Sequence, residues 1–107
     1  MSQRVCFTLR INPELVDEYE QRHAEVWPEM LTALSESGWT NYSLFMASDG
    51  ELIGYLECEN FAMSIELMGR TEVNTRWQTS VAKFFVELDG RAPDDAMRPL
   101  KEVFHLD

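Results

Sequence analysis

Four side chains in this sequence have the right types and spacing for chemistry on a small molecule: Tyr19, His23, Tyr42 and Trp77. Tyr19 and His23 stand at i and i+4, which places them on one face of a helix, one turn apart. Histidine titrates nearest neutral pH and serves as general acid or base. The two tyrosines offer hydroxyls that donate and accept. An indole adds a flat face and one N–H donor. Each residue also has a plainer reading. His23 suits a half-buried histidine bonded to a backbone carbonyl, Trp77 a core side chain, and the tyrosines structural hydroxyls. Gathered on one concave surface, the four would make an aromatic pocket with a few convergent polar atoms, as small-ligand sites have.

The elements that must position them can be read from the pattern. "RVCFTLRI" (4–11) alternates, with Val5, Phe7, Leu9 and Ile11 on one face and Arg4, Cys6, Thr8 and Arg10 on the other, so it predicts a half-buried strand. Asn12 is placed to cap a helix and Pro13 to occupy its first position, with Glu14 at the positive end of the dipole. The stripe Val16, Tyr19, His23, Val26, Trp27, Met30 and Leu34 falls within about a 100° arc. Pro28 interrupts that helix, because it cannot bond the carbonyl of Ala24, and predicts a kink or a restart. Gly38 fits a left-handed residue after the helix.

"WTNYSLFMASDGELIGYLECEN" (39–60) predicts a hairpin around a two-residue Asp49-Gly50 turn. Ser48 would then face Glu51, Met46 Ile53, Leu44 Tyr55 and Tyr42 Glu57. "FAMSIELMG" predicts a short helix stopped by Gly69. Thr71 would cap a longer one over 71–88, with Val73, Trp77, Val81, Phe84 and Leu88 as its stripe. Residues 89–99 read as a loop, 100–106 as a last strand carrying His105, and the acidic runs "DEYE" and "PDD" as solvated surface. Trp27 and Trp39 flank helix ends and read as packing.

The order strand, helix, strand, strand, helix, strand is that of an α+β, ferredoxin-like βαββαβ fold in one domain over residues 1–107. Helices on one face of such a sheet leave the other to a dimer partner or a cleft.

Composition narrows the functions. A net charge of −10, from 19 acidic and 9 basic residues, argues against nucleic acid and anionic membranes. No apolar run reaches the ~20 residues of a membrane span, and the N-terminus has no secretory pattern. Cys6 and Cys58 read as reduced core thiols rather than a disulfide. There is no CxxC, HxxxH, HExxH, G-x-S-x-G, Walker or Rossmann motif. The expectation is a cofactor-free, metal-free cytoplasmic protein.

The chain resembles the L-rhamnose mutarotase family along nearly its whole length. The resemblance lies in "VCFTLRINPELVDEYEQRHAEVWPEM", with Tyr19-x-x-x-His23 followed by Trp27-Pro28-Glu29. It continues in "GWTNYSLF", "GELIGYLE", the "RW" of "NTRWQ" and "LKEVFHLD". It implies a homodimeric α+β barrel that interconverts the α and β anomers of a 6-deoxy sugar without metal or nucleotide. It implies His23 as acid catalyst and Tyr19, Tyr42 and Trp77 as sugar contacts. Family members carry a second tryptophan directly after the first, whereas here Gln78 occupies that position, also as a candidate sugar contact. That difference opens L-fucose as an alternative substrate. Related barrels also host cofactor-free monooxygenases and non-catalytic binding domains, so the fold alone does not choose.

Overall fold

The computed structural model describes residues 2–107. Four strands form one sheet in the spatial order β2-β3-β1-β4, all pairs antiparallel: β1 (Gln3–Arg10), β2 (Thr40–Met46), β3 (Glu51–Cys58) and β4 (Arg98–Pro99). Helices α1 (Val16–His23), α2 (Pro28–Glu36), α3 (Phe61–Gly69), α4 (Glu72–Val81) and α5 (Pro93–Ala96) complete the ferredoxin-like βαββαβ order. The apolar face of β1, with Phe7 1 % exposed and Ile11 fully buried, packs into one core with Leu52, Leu56, Met68, Trp77 and Phe84.

The first helical segment follows its local chemistry closely. Asn12 accepts from the Glu14 N–H at 3.0 Å, with Pro13 opening a 3-10 turn that leads into α1. α1 ends at His23. Trp27, restricted by the following proline, is extended (φ −57°, ψ 134°), and α2 restarts with Pro28 at its first position. The break is thus a restart rather than a kink. Gly38, at φ +89°, closes α2. Its N–H donates to Ser35 O and that of Trp39 to Leu34 O, the paired bonds of a Schellman ending.

The hairpin forms, with its register one residue away from the expected one. Met46 pairs with Leu52, Phe45 with Ile53, Leu44 with Gly54 and Ser43 with Tyr55. The loop has three residues, because Ala47 N–H bonds Glu51 O and Gly50 takes φ +94°. A Cβ on Gly50 would lie 2.2 Å from Ile11 O, so the loop fits against β1 only with glycine there. A one-residue shift exchanges faces on β3. Leu52, Gly54, Leu56 and Cys58 therefore point inward, while Ile53, Tyr55 and Glu57 point out.

Two further expectations are corrected. The 71–88 helix stops at Val81, passes through a 3-10 turn at Ala82–Phe84, and turns extended at Phe85, which bridges Ile11 at the end of β1. The aromatic and β-branched run "FFV" pairs with the sheet instead of continuing the helix, which leaves Leu88 off the stripe. The last strand is Arg98–Pro99, paired with Thr8 and Phe7, whereas 100–107 form no strand. Beyond the Leu100 N–H bond to Cys6 O, that tail is held by side chains. Arg4 bonds Glu102 and His105, so His105 is an exposed tail residue rather than part of an edge strand. The two cysteines are free thiols, Cys6 facing out and Cys58 buried.

Candidate active site

Between the helices and the inner face of the sheet lies a cavity of about 370 Å³. That is at the small end of the ~300–1,000 Å³ range of ligand sites. Tyr19, His23, Tyr42, Trp77 and Gln78 all line it.

Each element aims its residue for an identifiable reason. α1 carries Tyr19 and His23 one turn apart, their rings stacked with centroids 4.1 Å apart. Because the restart at Pro28 ends α1 at His23, the imidazole stands at the helix terminus, half-buried, against the cavity. Tyr42 owes its direction to a bulge. Asn41 takes a left-handed conformation (φ 46°), and two residues of β2 stand opposite one of β3 between Thr40 and Ser43. Without the extra residue, Trp39 and Tyr42 would point to opposite faces; with it both point inward, with ring centroids 4.9 Å apart. On α4, the Thr71 cap (accepting from Asn74 N at 3.2 Å) fixes the register that brings Asn74, Trp77, Gln78 and Val81 to one face.

Hydrogen bonding separates structural aromatics from free ones. The Trp39 indole N–H donates to Ser64 O at 3.3 Å, so that ring is anchored, in keeping with a packing role. Trp27 packs edge-on to Trp77, with Arg76 lying 5.7 Å from its ring centre. By contrast the Tyr19 and Tyr42 hydroxyls and the Trp77 N–H have no protein partner among the described residues. No buried side-chain polar atom there is sealed off without a partner. These atoms therefore reach open space through the cavity their residues line.

His23 shows both readings at once. Its Nδ1 lies 3.1 Å from Tyr19 O, a carbonyl that can only accept, so Nδ1 carries the proton and Nε2 is left toward the cavity. Burial sets its pKa below the ordinary 6.5. The bond to Tyr19 opposes that shift and neighbouring Arg22 reinforces it. At neutral pH the ring is mostly uncharged, and its imidazolium is a stronger acid than usual. Tyr42 and Tyr19 are held as neutral phenols far above neutrality, Tyr42 by burial first and then by the nearby Tyr19 and Asp94.

Gln78 spends both polar ends inside the protein. Its Oε1 accepts from the Asp94 N–H at 3.2 Å and its Nε2 donates to Asn74 Oδ1 at 3.4 Å. Two polar side chains that line the cavity, Asn74 and Asp94, are not among the residues that the sequence singles out as site candidates. Asn74 was legible as a polar residue three and four positions before Trp77 and Gln78 on an apolar stripe. Asp94 carried no such signal and corrects the reading of "PDD" as solvated surface. Asp95 is exposed, but Asp94 turns into the cavity and accepts from Asn74 Nδ2 at 2.9 Å.

The family model for L-rhamnose mutarotase matches residues 4–106. An L-rhamnose mutarotase of Bacillus subtilis is 38 % identical over 106 residues, covering 98 % of this chain and 99 % of its own. One from Oceanobacillus iheyensis is 36 % identical over 108 residues, with coverage of 98 % and 99 %. Among solved structures, an L-rhamnose mutarotase from Formosa agariphila superposes with a TM-score of 0.79 at 23 % identity, covering 98 % of this chain and 99 % of that one. A Mycobacterium tuberculosis protein superposes at 0.58 and 16 % identity over the full length of both chains. These two structural likenesses concern the fold.

Proposed function

The chain belongs to the L-rhamnose mutarotase family, and from that membership and the cavity we propose that it interconverts the α and β anomers of L-rhamnopyranose, with His23 as acid catalyst and Tyr19, Tyr42 and Trp77 as sugar contacts. The observation that carries this reading is the set of unpartnered polar atoms (two hydroxyls, one indole N–H and His23 Nε2) on residues around one cavity of monosaccharide scale.

The chemistry follows from those groups. A pyranose changes anomer when its ring oxygen gains a proton, the C1–O5 bond breaks and the anomeric hydroxyl loses its proton to leave an aldehyde. Rotation about C1–C2 presents the other face, and closure reverses the transfers. Imidazolium at Nε2 supplies the first proton, with Nδ1–H held by Tyr19 O so that the ring keeps one orientation. The phenols donate to and accept from sugar hydroxyls and fix the pose. The Trp77 face and the surrounding apolar wall suit the sugar's C–H face and 6-methyl group. An uncharged sugar meets no penalty from the protein's net charge of −10.

A homodimer in the cytoplasm completes the proposal. Val103, Phe104 and Leu106 are each at least 80 % exposed on the tail beside the outer sheet face, where Phe45 is 61 % exposed. A second copy would cover these side chains. Free thiols at Cys6 and Cys58 suit a reducing compartment. Among the described residues no helix is long and apolar enough to cross a membrane.

The test is NMR magnetisation transfer between the two anomeric protons of L-rhamnose, with L-fucose in parallel. Wild-type protein should accelerate exchange for L-rhamnose, and His23→Ala should lower the rate by roughly 10²–10⁴-fold. Exchange with L-fucose alone would move the specificity. An unaltered rate in His23→Ala would remove the histidine from the mechanism.

A further inference from the structure

Resting on that reading, we propose that Asp94 is the second proton-transfer group of the anomer exchange, the acceptor for the anomeric hydroxyl, and that Gln78 and Asn74 are the residues that position it.

Asp94 enters the cavity from the start of α5, while Tyr19 and His23 enter from α1, Tyr42 from β2, and Asn74, Trp77 and Gln78 from α4. Two residues tie it down in a closed ring of three hydrogen bonds. Asn74 Nδ2 holds Oδ2 at 2.9 Å, the Asp94 N–H meets Gln78 Oε1 at 3.2 Å, and Gln78 Nε2 meets Asn74 Oδ1 at 3.4 Å. Oδ1 has no hydrogen bond among the described residues, and no buried polar side-chain atom is sealed off, so that oxygen is available to a ligand.

The charge is what a structural role would not need. No lysine or arginine lines the cavity among the described residues, so no permanent cation neutralises a carboxylate there. An asparagine could accept the Asn74 bond equally well and would avoid the cost of burying an unpaired charge. A titratable oxygen, held in place and left open, is the feature that requires a carboxyl. Burial lifts its pKa above the ordinary carboxylate range, with Asn74 opposing and Asp95 adding slightly. The pKa of His23 is displaced downward, so the two groups' values shift toward one another.

The step balances with one proton on the pair. Imidazolium Nε2–H gives its proton to O5 as the C1–O5 electrons pass to that oxygen. Asp94 Oδ1 takes the O1 proton as the C1=O1 bond forms. After rotation about C1–C2, O5–H returns its proton to His23 while O5 attacks C1, and protonated Asp94 restores the O1 hydroxyl. Both groups end as they began, and the anomer is inverted. The position after Trp77 therefore acts through the carboxyl here, as Gln78 uses its amide to fix Asp94 rather than to touch the sugar.

The experiment compares wild type, Asp94→Asn and Asp95→Asn by L-rhamnose magnetisation transfer across pH, with sugar affinity followed by tryptophan fluorescence. Asp94→Asn should lose about 10²-fold in exchange rate with affinity kept within about threefold. Its pH profile should show one limb where wild type shows two. Asp95→Asn should match wild type. An Asp94→Asn variant at wild-type rate overturns the proposal and leaves the family reading intact, as does one whose rate falls only in proportion to its affinity. Absence of exchange in wild type overturns the function reading and this one together. If Asp94→Asn does not fold, a wild-type profile with a single limb overturns the proposal by itself.

Discussion

The two faces of the sheet are built from the same strands and behave oppositely. On the inner face, Phe7, Leu9, Tyr42, Leu44 and Leu52 meet the helices around the cavity. On the outer face, Arg4, Cys6 and Tyr55 meet the tail, whose Leu100, Lys101, Glu102 and His105 line a shallow hollow with them. The inner face leaves polar atoms unpaired inside a largely apolar wall. The outer face pairs its polar atoms, Arg4 with Glu102 and Tyr55 with Glu57, and leaves its apolar tail bare. Unmet polar groups in an apolar hollow invite a polar small molecule, and unmet apolar groups on an open face invite a protein surface. Under the proposed function the inner face would serve chemistry and the outer face assembly, and substitutions should affect each separately.

The largest separation should come from Trp77→Ala. Trp77 is 5 % exposed and meets His23 and Trp27 at near right angles, with ring centroids 5.4 and 5.1 Å away. Truncation in such a site costs roughly 3–5 kcal/mol of stability, read as a lower midpoint in urea, with sugar affinity lost as well. Trp77→Phe keeps a ring and should recover most of the stability while lacking the N–H donor. If Trp77→Ala instead shifted the dimer equilibrium as strongly as the stability, the two faces would not be independent.

On the outer face, Phe104→Ser should leave the anomer exchange of the assembled protein alone and weaken self-association. Phe104 is 80 % exposed in a single chain, so a serine there removes no core contact. Burying such a side chain in a partner contributes about 1.5–3 kcal/mol, which is about ten- to a hundredfold in the dissociation constant. Light scattering after size exclusion reads it. An unchanged mass at dilute concentration would place the interface elsewhere.

The sequence was most legible where a local rule decides alone. Asn12 and Pro13 open the first helical segment, Pro28 restarts it, Gly38 closes it and Thr71 caps α4, each as its own chemistry requires. It was least legible where a second segment decides. Asp49-Gly50 announces a turn, but whether its loop holds two or three residues depends on the fit of Gly50 against Ile11 O, a contact between distant segments. The tail alternates like a strand, yet Pro99 has no N–H to offer the ladder, and the chain then follows β1 through side chains. For the site, the spacing of Tyr19 and His23 was sufficient to place both. Tyr42 faces inward by virtue of the Asn41 bulge, which no residue spacing discloses. Asp94 reaches the cavity through two hydrogen bonds to α4 that only the fold brings near.

The smallest effect tests whether the inner face gives up stability for its chemistry. Asp94 has a folded-state pKa raised above its unfolded value, taken as 3.8. The unfolded chain therefore releases the proton first as pH rises. The stability that the neutral carboxyl contributes is fully present below that unfolded value and is lost as pH climbs through the folded one. At neutral pH the wild type bears this penalty, and Asp94→Asn does not. The variant should melt higher at pH 7, with the difference closing as the solution is acidified below about pH 3.8. Asp95→Asn, one residue on and exposed, should shift the melting temperature by less. His23 runs the other way, its lowered pKa giving stability that is present above 6.5 and lost as pH falls through the folded value. A neutral-pH melting temperature equal in Asp94→Asn and wild type would mean that the carboxylate is as well solvated in the cavity as in water, and the inner face would then carry its charge at no cost to the fold.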